Sequence, residues 1–117
     1  MAGRERLICP AGELVERGRG VRFELLRDGA PQAAFVVRFG GRPRAYLNRC
    51  AHVPVELDWQ EGEFFDGSQL YLICAVHGAL YHPENGECAG GRCAGRGLIP
   101  VPVAERDGHV YVMDEEQ

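Results

Sequence analysis

The chain has 117 residues, 45% hydrophobic and 26% charged, with a formal net charge of −4, a composition that suits one folded unit around one core. Its longest apolar run, LYLICAV at 70–76, is far short of the roughly 20 residues of a membrane helix, which excludes a helical span. The charge is lopsided, with ten Arg and five acids in residues 1–49 against three Arg and twelve acids in residues 50–117; the acidic half reads either as a surface that repels a nucleic acid and attracts a basic protein or as a solvated acidic face. All thirteen basic residues are Arg. The first ten residues lack the apolar stretch of a signal peptide, so the expected compartment is the cytoplasm. Thiols stay reduced there, and Cys–His clusters then read as metal ligands rather than disulfides.

In chain order the sequence reads as short strands punctuated by turns. GELVERG (12–18) has a helical look but is too short to stand alone. VRFELLR (21–27) alternates apolar and polar residues before the DGAP turn. AAFVVRF (33–39) follows, then the GGRP turn, then RAYLN (44–48). FFDGSQLYLI predicts a hairpin around Asp66-Gly67, and PENGE (83–87) a turn through Asn85-Gly86. LIPVPV (98–103) is extended, with prolines that suit an edge or unpaired position. AERDGHVYVMD (104–114) predicts a last hairpin on Asp107-Gly108. Turn signals at these intervals, with 16 Gly and seven Pro, define an all-β domain over residues 1–117. The segment of about 49–94 is richer in loop residues and reads as a subdomain inserted into a β scaffold.

Two Cys–His pairs stand out: C-A-H at 50–52 and C-A-V-H at 74–77. Each sits where an apolar strand gives way to a loop, a placement in which a scaffold fixes the loop and the loop supplies ligand angles. Three readings of Cys50, His52, Cys74 and His77 stand side by side. One is a structural zinc site of Cys₂His₂ type, for which C-x-H is at the tight edge of usual spacing. Another is two buried cysteines with incidental histidines, which suits a lone Cys better than two independent pairs. The third is a two-iron, two-sulfur cluster with one iron on two Cys and the other on two His.

The paired pattern C-x-H and C-x-x-H-G resembles the Rieske [2Fe–2S] family, and in particular its soluble ferredoxins. LNRCAHVPVEL is similar to the family's first cluster loop. LICAVHGALYH is similar to the second, with Gly78 after the second His. GECAGGRCAGRGLIPVPV is similar to the segment that passes over the cluster and returns to the base sheet. The resemblance implies an antiparallel β-sandwich with an inserted cluster-binding subdomain and one [2Fe–2S] cluster per chain. It places Cys50 and Cys74 on the buried iron, and His52 and His77 on the outer iron. Neutral imidazoles in place of two thiolates make the site less negative by two charges, which puts the potential in a band of about −150 to +300 mV.

High-potential members carry a disulfide between the two loops, at positions held here by Val55 and Val76, and a Ser where Ala79 stands. Their Tyr is kept as Tyr81. Fewer hydrogen bonds to sulfur imply a potential in the lower half of the band. The 21 residues between His52 and Cys74 include an acidic stretch (Glu56, Asp58, Glu61, Glu63, Asp66) with Trp59. It reads either as a docking loop for a basic partner or as a solvated hairpin anchored by Trp59. Cys88 and Cys93 are expected to be reduced and structural, Cys9 to be a core residue, His82 a surface residue and His109 structural.

The resemblance implies an electron carrier between a flavin reductase and a terminal oxygenase. It would be a monomer, not an enzyme on its own, with redox proteins as partners and neither membrane nor nucleic acid among them. Once His52 and His77 are spent only His82 and His109 remain, too few for a separate 2-His-1-carboxylate iron site. The alternatives are a redox- or oxygen-sensing module, an accessory subunit docked to a larger enzyme, or a zinc-stabilised interaction domain.

Overall fold

The computed structural model describes residues 4–27, 29–50, 55–58, 60–75, 78–93 and 95–114. Nine strands arranged in three antiparallel sheets carry this part of the chain. The first sheet has the order β1-β9-β8, with β1 Arg4–Pro10, β8 Val103–Arg106 and β9 His109–Asp114. The second is β2-β3-β4, with β2 Val21–Arg27, β3 Ala30–Phe39 and β4 Arg42–Leu47. The third is small: β5 Leu72–Ile73, β6 Leu80–Tyr81 and β7 Cys88–Gly90. The expected all-β antiparallel class is what the chain adopts. No described helix is long and apolar enough to cross a membrane.

β3 organises the layers. Ala34, Phe35, Val36 and Val37 are all buried, so this strand is covered on both faces. Successive side chains point to opposite sides of a strand. Ala34 and Val36 join Ala45 and Leu47 of β4 against Cys9, Val110 and Val112 of the first sheet, forming the sandwich core. Phe35 and Val37 join Tyr46 on the other face, against Leu57, Phe64, Leu72, Tyr81 and Leu98. Phe35 and Phe64 stack with ring centroids 3.9 Å apart. Room for Phe64 comes from Gly20, where an added Cβ would lie 2.7 Å from the Phe64 ring. Burying one such ring contributes about 1.5–3 kcal/mol.

Turn chemistry follows the residues. Gly40 and Gly41 both have positive φ, +66° and +78°, at the β3–β4 turn, the conformation a tight hairpin connection requires. Glu16 holds that turn by accepting hydrogen bonds from both glycine amides at 2.7 and 2.9 Å. The hairpin near Asp66-Gly67 forms, but its left-handed residue is Gln69 at φ +62°. Asp66 accepts from Ser68 Oγ at 2.8 Å, and its amide donates to the Tyr71 carbonyl at 2.9 Å. Residues 12–18 form no α-helix; only a 3₁₀ turn, Ala11–Glu13, is present. The carbonyls of Ala11 and Leu14 instead accept from the Arg38 guanidinium, which also grips Glu105 with two nitrogens at 2.9 and 3.3 Å. LIPVPV lies along the free edge of β4, with Leu47 N to Ile99 O and Val101 N to Ala45 O, both at 2.9 Å. The alternate positions, Pro100 and Pro102, need no amide there.

Tyr46 ties β4 to the 83–87 turn by donating its hydroxyl to the Pro83 carbonyl at 2.6 Å. Burial pushes its phenol from an ordinary 10 up to about 12, with Arg44 opposing and Glu84 adding. A raised acid stays neutral in the fold while the unfolded chain ionises, so stability is full below about pH 10 and is lost as pH rises towards 12. Chemical denaturation across this window should show a loss of about 1 kcal/mol per pH unit that is absent in Tyr46→Phe.

Candidate functional site

The face of the middle sheet away from the sandwich carries the candidate site. Cys50 and Cys74 are buried in the same apolar cluster, at 2% and 0% exposure. Each opens a loop in the same way: Cys50 N donates to Val55 O at 2.7 Å, and Cys74 N donates to Ala79 O at 2.9 Å. Both closures span five residues, and each encloses one expected histidine, His52 or His77, which lie outside the described residues. The loops are tied to each other by Ala75 N to Leu57 O at 3.1 Å. Tyr81, fully buried on β6, places its hydroxyl 3.5 Å from Cys50 Sγ. Ala79 is buried and carries no polar group to offer the site.

A polar knot, missed in the sequence, holds the first loop. Asn48 and Asp58 are buried, and Asn48 Nδ2 donates to Asp58 Oδ1 at 3.0 Å. Asn48 Oδ1 accepts from Leu57 N at 2.8 Å, and Asp58 Oδ2 accepts from Gly62 N at 3.0 Å. Arg22 Nε lies 3.4 Å from Asp58 Oδ2, and its guanidinium also pairs with Glu56. The loop from 48 to 58 is therefore closed at its base by side chains, with Cys50 just inside. The signal available was Asn directly after an apolar strand and an acid beside Leu57; neither spacing marks a pair ten residues apart.

This arrangement decides most of the acidic stretch. Glu56 and Asp58 meet Arg22, Glu63 meets Arg19 at 3.1 Å, and Asp66 folds its own turn. Arg19 also donates to the Glu61 carbonyl at 2.6 Å. Three arginines of the basic first half, Arg19, Arg22 and Arg38, thus pair with acids of the second half across the fold. Trp59 lies outside the described residues.

The expectation that Cys88 and Cys93 are reduced is corrected: they form a disulfide. The reversal at Gly90-Gly91 brings their Cα atoms to 5.7 Å, within the range a disulfide bridges. Gly91 has φ +80°, and an added Cβ would lie 2.7 Å from the Gly78 carbonyl, so the disulfide-closed segment presses on the chain just after position 77. Cys9 is buried in the sandwich, as expected, and burial pushes its thiol pKa up. His82 is half-buried, with its ring 5.7 Å from Tyr71. His109 Nδ1 lies 2.9 Å from the Asp107 carbonyl in the β8–β9 turn, a structural position.

A β base carries two loop-borne, buried thiols, one of them beside a phenol. The family model for the Rieske [2Fe-2S] domain matches residues 5–113, and the chain belongs to that family. Membership implies one [2Fe–2S] cluster per domain, and the described part of the site fits it: two soft donors in an apolar setting with a hydroxyl at one sulfur. No curated protein matches the chain. Among solved structures, a ferredoxin of carbazole 1,9a-dioxygenase from Nocardioides aromaticivorans IC177 is 20% identical over 95% of this chain and 98% of its own, with TM-score 0.69. The Sphingomonas yanoikuyae B1 ferredoxin is 20% identical over 97% and 100%, with TM-score 0.70. The terminal oxygenase of the same Nocardioides dioxygenase is 20% identical over 99% of this chain, with TM-score 0.77, but this chain spans 31% of that one.

Asp58→Ala removes the acceptor of Asn48 Nδ2 and of the Gly62 amide. It should destabilise the protein by about 1–3 kcal/mol, read from urea denaturation, with accelerated loss of bound iron.

Proposed function

We propose that the chain is a Rieske-type ferredoxin, a one-electron carrier serving a terminal oxygenase and drawing on a flavin reductase. Cys50 and Cys74 would hold the inner iron, and His52 and His77 the outer one, within a unit of about 49–94 set into the β base. When bound, such a cluster takes up and releases one electron at a time. The single observation that carries the reading is the pair of buried cysteines on two like-built loops, in a chain of the Rieske family. The near-complete span of the ferredoxin chains supports it, as does a solved complex of reduced oxygenase with oxidised ferredoxin, matched at 24% identity over 97% of this chain.

The chain's own residues serve such a carrier in three ways. The apolar wall of Phe35, Leu57, Phe64 and Leu72 excludes water from the two cysteines. Ala75 N to Leu57 O locks one loop to the other, so that both donor sets keep their spacing as charge changes. Tyr81 offers its hydroxyl to Cys50 Sγ, a hydrogen bond that stabilises added negative charge and raises the potential. Ala79 offers none.

Anaerobically purified or reconstituted protein should contain about two irons and two labile sulfides per chain, and reduction should give the low-average-g EPR signal of mixed Cys/His ligation. Cys50→Ser, His52→Ala, Cys74→Ser and His77→Ala should each abolish the signal; stoichiometric zinc in place of iron would overturn the reading. The midpoint should lie in the lower half of the band of about −150 to +300 mV, and a value above about +150 mV would contradict the role given to Ala79. Tyr81→Phe should shift the midpoint downward in a redox titration while leaving the iron content unchanged.

A further inference from the structure

Within the acidic stretch Arg22 pairs with Glu56 and Asp58 and Arg19 with Glu63, while Glu61 makes no ion pair with a described residue. Arg49 and Arg96 likewise make no ion pair with any described residue. Both are exposed, and both line an open basin of about 330 Å³ with Leu47, Cys50, Gly97 and Ile99. Their backbone amides are held locally: Arg49 N donates to Leu47 O and Arg96 N to Cys93 O, each at 2.9 Å. Ile99, bonded through its carbonyl to the β4 edge at Leu47, is 44% exposed in the same lining. Among the described residues no acid lines the basin. Glu87 is close by, its Cα 3.3 Å from where a Cβ on Gly97 would be, and it forms no ion pair with a described residue.

We propose that this basin is the docking face for the electron-transfer partner, and that the partner presents an acidic patch around an apolar side chain. The inference rests on the carrier reading and adds the sign of the partner's charge. It reverses what a net charge of −4 suggests, because association is steered by the local field at the contact and only weakly by the total. Two guanidiniums also favour carboxylates geometrically, since each can donate a bidentate pair of hydrogen bonds. Cys50 forms part of the basin's wall, so a partner seated there lies against a proposed ligand.

The test uses the cluster-loaded protein with two probes, an acidic b-type cytochrome and a basic c-type cytochrome. In each reaction one electron passes from the reduced protein to one ferric haem, making it ferrous, and no bond is made or broken. Arg49→Glu and Arg96→Glu should slow reduction of the acidic probe by on the order of tenfold at low ionic strength. The effect should fade with added salt and be absent for the basic probe and for Arg42→Glu, a charge-matched change at the far end of β4. A second readout needs no electron transfer. The chain has no Lys, so Arg49→Lys or Arg96→Lys supplies the only lysine, and a carbodiimide should join it to a carboxylate of the acidic cytochrome. Arg42→Lys should not cross-link.

Cross-linking through 49 or 96 without haem reduction would uphold the docking face and sink the carrier reading. Haem reduction indifferent to both charge reversals, with no preferential cross-link, would sink the docking face and leave the carrier reading standing. Charge reversals that slow only a small anionic oxidant such as ferricyanide would assign the basin to small anions and overturn the proposal.

Discussion

The structure around the site depends on one buried polar contact, the Asn48–Asp58 pair. A carboxylate taken out of water is costly unless its oxygens are satisfied. Here one oxygen accepts from Asn48, and the other accepts from the Gly62 amide and faces Arg22. The same Asn48 then accepts from Leu57. One small network therefore fixes where the loop leaves β4, where it returns and how it lies against β2. Cys50 inherits its position from this closure.

Placing the second cysteine needs less. Cys74 follows a two-residue strand, and Ile73 and Cys74 donate to Phe64 O and Ala79 O, both at 2.9 Å. The third sheet is small, and its support comes from the aromatic face of β3 and β4 and from the segment closed by the Cys88–Cys93 disulfide. Gly91 on Gly78 is the point of contact. The two sulfurs are thus set from opposite directions, one by side-chain hydrogen bonds and one by apolar packing under a covalent clip.

Much of this was legible in the sequence. The strand periods, the turn residues and the paired C-x-H and C-x-x-H-G pattern led to an all-β chain of the Rieske family, because each is a local signal with a local cause. What escaped was non-local. Asn48 and Asp58 find each other only once the loop closes, and in sequence Asp58 was one of five acids. The halves of opposite charge looked like a surface for a partner, yet Arg19–Glu63, Arg22–Glu56 and Arg38–Glu105 pair part of that contrast within the fold. The reduced state expected of Cys88 and Cys93 came from an inferred compartment; the bond follows from the Gly90-Gly91 reversal, a matter of local geometry. His52 and His77, half of the expected ligand set, lie outside the described residues.

The double burial of β3 carries a cost in uniqueness. A strand with one wet face is held in alignment because sliding by a single residue would drown its polar side chains in the core and strand its apolar ones in water. Ala34 to Val37 have no wet face, so that penalty vanishes. Over these four residues alignment comes from bulk, with small Ala34 and Ala45 facing the sandwich and the rings of Phe35 and Tyr46 filling the other side, while Arg38 and the Gly40-Gly41 turn anchor the end of the strand. Exchanging large for small across this strand would therefore loosen the choice of neighbour along the whole sheet, and the thiol at the end of β4 would shift with it.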